Sequence, residues 1–150
     1  MADSFTSLNY HLIFSTKERV PMLEVQNQER IWTFIGGVIK KNKGIALAIG
    51  GMTDHVHILC GIPTTTSVSK FIQQTKSASS RWINETFSKY GKFSWQDGYG
   101  AFTVSKSNLE AVREYIRNQK EHHRNKTFTE EYKEFIEKHE IEYDNRYLLG

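Results

Sequence analysis

Cys60 is the only cysteine among 150 residues, which excludes an internal disulfide and fits a reducing cytoplasm. The thiol stands in a β-rich apolar run, where a small buried core side chain is its ordinary role, not a nucleophile. Prolines number two, Pro21 and Pro63, and neither falls inside a periodic stretch. No apolar run approaches the roughly 20 residues needed to cross a bilayer, so no membrane contact is expected. Met1-Ala2-Asp3-Ser4 lacks a basic segment leading into an apolar one, so no signal peptide is expected. What is present is a chain 38% hydrophobic and 13% aromatic. That is too apolar for a disordered protein and long enough for one domain with a sizeable core.

The net charge of +3 conceals an uneven distribution. Residues 129–150 carry seven acids and three bases, leaving the first 128 with 17 bases and 10 acids, a net of +7. A basic body suits a polyanion held through phosphate contacts, although ordinary solubilising charge would look the same. The acidic stretch is read as a C-terminal helix and tail.

Hydrophobic periodicity orders the elements. Leu8, Tyr10, Leu12 and Phe14 alternate with Asn9, His11 and Ser15, as in a strand with one apolar face. From Glu24 to Lys43, Ile31, Trp32, Ile35, Val38 and Ile39 recur at helical spacing, with Gly44 expected to end the helix. Strands Ile45–Ile49 and His55–Ile62 follow, joined through Gly50-Gly51-Met52-Thr53. A second helix runs from about Ser67 to Phe87, and Tyr90 to Gly100 forms an aromatic, glycine-rich loop. A fourth strand covers Ala101–Ser105. Ser107 or Asn108 can cap a helix over about Leu109–His123, and a last one spans about Glu130–His139. The order β-α-β-β-α-β predicts an α+β protein: a ferredoxin-like antiparallel sheet with helices on one face and an added C-terminal helix.

Within this frame, Asp54-His55-Val56-His57-Ile58-Leu59 is the most informative segment. Strand side chains alternate, so His55 and His57 share one face, and two such imidazoles make half of a divalent-metal site. Asp54 could orient one ring, but is read first as a turn residue. On the third helix, Tyr115 and Gln119 stand four apart on one face. A tyrosine can become a covalent nucleophile at phosphate once a metal offsets the charge, and Gln119 offers a neutral oxygen. Three neutral ligands would leave the ion strongly positive. Tyr99 is the rival nucleophile, and His122 and His123 lie close in sequence. Phosphate contacts are expected from Lys17, Arg19, Lys70, Lys76, Arg81, Arg113, Arg117, Lys120, Arg124 and Lys126. Base stacking is expected from Trp95, Tyr99 and Phe102.

In five ordered blocks the chain resembles the HUH-type single-tyrosine transposases of small bacterial insertion sequences, including relatives associated with dispersed palindromic repeats. The blocks are Tyr10-His11-Leu12-Ile13-Phe14-Ser15-Thr16-Lys17, Asp54 to Leu59, Lys76-Ser77 with Ser80-Arg81-Trp82-Ile83, Trp95 to Phe102, and Tyr115-Ile116-Arg117-Asn118-Gln119 with His122-His123. The resemblance implies a single HUH domain over residues 1–150, in which His55, His57 and Gln119 hold the metal and Tyr115 is the nucleophile. It implies a divalent ion, Mg²⁺ first and Mn²⁺ as the alternative. The implied substrate is single-stranded DNA with hairpin ends, cut and rejoined through a 5′-phosphotyrosine link. It further implies a homodimer whose sites combine the histidines of one subunit with the tyrosine helix of the other. Two other readings are a replication-initiator-type HUH nuclease and a non-catalytic single-strand nucleic-acid-binding domain derived from such an enzyme.

Overall fold

A computed structural model describes residues 3–87 and 91–150; Tyr90, where the sequence starts the aromatic loop, lies outside them. Strands β1 (Asn9–Ser15), β2 (Ile45–Gly51), β3 (His55–Gly61) and β4 (Gly100–Thr103) form one antiparallel sheet in the order β2-β3-β1-β4. Helices α1 (Val25–Lys41) and α2 (Val68–Thr86) cover one face. There Leu12 and Phe14 of β1 and Val56, Ile58 and Cys60 of β3 meet Ile31, Ile35 and Ile39 of α1 and Phe71, Ile72 and Ile83 of α2. This is the ferredoxin-like arrangement expected from the pattern.

The other face is covered too, and that positions the site. Helices α3 (Leu109–Arg117), α4 (Gln119–His122) and α5 (Phe128–Lys138) follow β4. Phe128, Tyr132 and Ile136 of α5 form a second core with Ile13, Phe102 and Leu148. Because Ile13 pairs with His57 and Ser15 with His55, both histidines face this second layer.

Sequence and structure differ at several ends. Lys43, not Gly44, takes the left-handed conformation that closes α1, with φ 69°. Gly44 is needed for space: a Cβ there would lie 2.7 Å from Phe71 and 2.9 Å from the Gly61 carbonyl oxygen. The third helix does not run on to His123. It breaks at Asn118 (φ −100°, ψ 28°), giving α3 and the short α4. Asn108 precedes α3 without a capping bond from its side chain. The last helix starts earlier than expected, through a capping box between Thr127 and Glu130.

Close approach fixes the tyrosine helix against the sheet. A Cβ on Gly50 of β2 would sit 2.8 Å from the Ile116 carbonyl oxygen of α3. Gly50→Ala should therefore push α3 outward at a cost of about 1–3 kcal/mol, the usual penalty of overpacking. A urea unfolding midpoint equal to that of the parent would show that α3 is not held at this point.

Candidate active site

Alternation along β3 aims His55 and His57 at the layer formed by α3, α4 and α5, and both are wholly buried. Each ring is tied back by one nitrogen. His55 Nδ1 donates to Asp54 Oδ1 at 2.7 Å. His57 Nδ1 lies 2.8 Å from His11 Nε2, a side chain on the same face of the neighbouring strand. Asp54, read from sequence as a turn residue, thus also orients an imidazole. Such outer contacts fix ring orientation and leave the two Nε2 atoms facing inward.

Those atoms meet a carboxylate that the sequence did not single out. Glu131, from α5, is 1% exposed and sits at the centre of the cluster. Its Oε1 accepts from His57 Nε2 at 3.0 Å and His123 Nε2 at 3.1 Å, and stands 3.7 Å from His55 Nε2. Its Oε2 accepts from Gln119 Nε2 at 3.2 Å and from the Tyr115 hydroxyl. Gln119 in turn places Oε1 2.8 Å from His55 Nε2. The groups that could hold a cation therefore include a carboxylate beside the neutral His55, His57 and Gln119 expected from the sequence. One signal in the sequence could have found it. Within α5, Glu131 is the acid spaced three and four positions from aromatic residues, Phe128 and Phe135, on the shoulder of the apolar stripe.

These donors fit a divalent cation. His55, His57 and Glu131 offer ligand atoms within 4.8 Å of one another. The 2.8–3.7 Å separations at His55 and His57 bracket the roughly 3 Å edge of an octahedron with bonds near 2.1 Å. Both ring nitrogens of His55 face oxygens, Nδ1 the Asp54 carboxylate and Nε2 the Gln119 carbonyl.

The same contacts set the protonation states. Burial works against a charged Glu131, but hydrogen bonds from His123, His57 and Tyr115 outweigh it and hold the carboxyl well below the usual range. Burial, then the bond to Glu131, keeps the Tyr115 phenol well above its ordinary value. Burial also lowers His57, and with repulsion from His57 it lowers His11 strongly. His123, though partly buried, is raised by the bond to Glu131.

In metal-free protein, the stability contributed by neutral His11 and His57 is present above about pH 6.5 and lost as pH falls below it. That of Glu131 is present above about pH 4.3 and lost on further acidification. His123 runs the opposite way, contributing below about pH 6.5 and losing its effect as pH rises through its raised native value. The urea midpoint in chelator should then fall progressively from about pH 7 to about pH 4. A flat profile there would contradict the depressed values of this cluster.

Of the expected phosphate contacts, Arg19, Arg124 and Lys126 line one cavity of about 460 Å³ beside His123 and Asp54. Arg19 also bonds the Thr129 hydroxyl. Arg117 and Arg124 pair with Glu114 and Glu121 on the exposed outer surface. Lys120 and Lys17 are exposed. Arg113 has a buried Nε with no hydrogen bond among the described residues. Lys70, Lys76 and Arg81 lie on α2, across the sheet from the histidines. Lys76 is occupied: its ammonium donates to the carbonyls of Gln96, Asp97 and Gly98 at 2.5, 3.2 and 2.9 Å. Trp95 and Phe102, expected to stack on bases, are core side chains. Trp95 packs on Phe14 and Phe93 with its N–H on Ser79, and Phe102 belongs to the α5 core. Tyr99 is 38% exposed, in a groove on the α2 side.

Comparison with known proteins adds an independent line. The family model described as "Transposase IS200 like" matches residues 4–119. The transposase for insertion sequence element IS200 of Salmonella typhimurium is 28% identical over 126 residues, covering 81% of this chain and 82% of the relative. The corresponding Salmonella typhi protein matches equally. A crystal structure from Deinococcus radiodurans R1, assigned as a candidate transposase, superposes with a TM-score of 0.62 at 26% identity, covering 79% of this chain and 96% of that one. A REP-associated tyrosine transposase bound to a REP hairpin gives 0.56 at 12% identity, covering 79% and 72%, a likeness of fold. The match to the family model ends at Gln119, so His123 and Glu131 lie outside it.

Proposed function

Because the chain belongs to the IS200-like transposase family, we propose that it cuts and rejoins single-stranded DNA at hairpin-bearing ends, with Tyr115 as nucleophile. The observation that supports this most directly is one carboxylate shared by His57, Gln119 and Tyr115, with His55 beside it, which brings nucleophile and metal donors together. His55, His57, Gln119 and Glu131 would hold a divalent ion, Mg²⁺ or Mn²⁺, which when bound would polarise the scissile phosphate as a Lewis acid.

The chain's own residues do the rest. Tyr115 Oη attacks phosphorus, and its proton is relayed through the hydrogen bond to Glu131 Oε2 to the leaving 3′-oxygen, so that the carboxylate stays charged. The bond from phosphorus to the 3′-oxygen breaks, and that oxygen leaves as a free hydroxyl once protonated. The 5′-phosphotyrosine ester keeps the bond energy, so the reverse attack by a 3′-hydroxyl rejoins strands without hydrolysis. At rest the phenol is protonated, because burial and the bond to Glu131 hold it well above its ordinary value. His123, bonded to both Glu131 and the Lys126 carbonyl, holds the carboxylate in place.

Within one chain Tyr115 and His57 share the Glu131 carboxylate, whereas the homodimeric composite site that the resemblance implies would bring the tyrosine helix of one subunit to the histidines of the other. No helix among the described residues is long and apolar enough to cross a membrane. The deciding experiment is a denaturing gel with a labelled strand carrying a hairpin. A protein–DNA adduct that appears with Mg²⁺ or Mn²⁺ and disappears with chelator is the expected result. Tight binding without any adduct would favour a non-catalytic binding domain.

A further inference from the structure

A cleft of about 420 Å³ opens between α3 and α5 and is lined by Tyr115 itself. Apolar and aromatic side chains form part of its walls, among polar ones. Ala111 and Val112 come from α3 and Phe135 from α5. The Tyr115 ring lies 4.2 Å from His122 at 31°, and Phe135 meets Tyr115 edge to face at 5.6 Å. Among the described residues, the side chains of Asn108, His122 and Lys138 at this cleft make no hydrogen bond or ion pair. Asn108 occupies the position before α3 where an amide normally caps the helix, yet its side chain makes no capping bond. Lys138 is exposed in the last turn of α5. Glu134, the acid of the lining, is paired with Lys126 at 2.5 Å and so does not repel a polyanion.

We propose that this cleft receives the unpaired nucleobase beside the phosphate that Tyr115 attacks, with Asn108 selecting the base. The inference rests on the strand-cleavage reading above. A phosphate at Tyr115 Oη places its own nucleoside within one nucleotide of the hydroxyl, and this cleft is built against that side chain. The wall formed by Ala111, Val112, Tyr115 and Phe135 suits a base's π-face, as in other single-strand sites. An amide offers donor and acceptor together, which is what edge recognition of an unpaired base needs. Lys138 then meets the neighbouring phosphate.

Two measurements test the cleft, one of them independent of cleavage. In the first, single strands containing the fluorescent base 2-aminopurine are titrated with the protein, and homopolymeric dA, dC and dT strands compete. Binding should quench the probe, and the competitors should spread over about tenfold, the discrimination of one good edge contact. Ala111→Trp, at an exposed position, fills the cleft and should abolish the quench, while Asn108→Ala should compress the spread to about twofold or less. In the second, hairpin DNA with a randomised single-stranded segment is captured as adduct and sequenced. One base next to the captured phosphate should be enriched, and Asn108→Ala should flatten that position alone. Unchanged quenching in Ala111→Trp, or a base preference untouched by Asn108→Ala, overturns the proposal while leaving cleavage intact. Cleft-dependent quenching with no adduct from any strand would instead sink the cleavage reading and keep the cleft.

Discussion

Tyr115→Phe should still bind single-stranded DNA and a divalent ion while forming no covalent adduct, a loss of at least about 10⁴-fold in strand capture, as expected when a covalent nucleophile is removed. The substitution deletes one oxygen. The ring keeps its contacts with His122 and Phe135, so α3 stays seated. Glu131 loses one donor but keeps His57, His123 and Gln119, which limits the stability change to about 1 kcal/mol. The readout is the shift of a labelled strand on a denaturing gel, alongside its affinity in a native binding assay. An adduct that persisted in Tyr115→Phe would place the nucleophile elsewhere. Tyr99 would then be the first residue to examine, although it lies in the groove on the α2 side of the molecule.

Part of this site was legible from sequence because it rests on local periodicity. Alternation alone put His55 and His57 on one face of a strand, and four-residue spacing put Tyr115 and Gln119 on one side of a helix. The ferredoxin-like arrangement followed from the succession of strands and helices. What was not legible depends on how distant segments meet. Glu131 belongs to a stretch with seven acids, where charge reads as a solvated surface, and only the docking of α5 through Phe128 and Tyr132 carries its carboxylate inward. His11 looked like one polar residue among several on the outer face of β1. It became a partner of His57 because β1 and β3 are neighbours and α3 to α5 close over them. The helix break at Asn118 was hidden for the opposite reason. No proline or glycine marks it, and the sequence Tyr115 to His122 reads as an unbroken helix. Trp95 and Phe102 illustrate a further limit: composition shows an aromatic but not the core it fills.

His57→Ala should weaken divalent-ion binding by at least about 100-fold, more than the loss of an outer partner costs, and abolish adduct formation with it. His57 presents its Nε2 to the centre of the cluster, where Ala offers nothing, and the change also removes a donor from the buried Glu131 carboxylate. Isothermal titration with Mn²⁺ reads the affinity directly, without reference to turnover. The variant also decides between two ways of building the site. Tyr115 and His57 meet on one Glu131 within a single chain, so His57→Ala mixed with Tyr115→Phe should stay inactive, each chain lacking one essential group. Recovery of adduct in the mixture, carried on the chain that retains Tyr115, would mean that subunits exchange their tyrosine helices. In that case the histidines of one chain serve the nucleophile of another, and the contact of Tyr115 with Glu131 describes a resting arrangement that DNA must open.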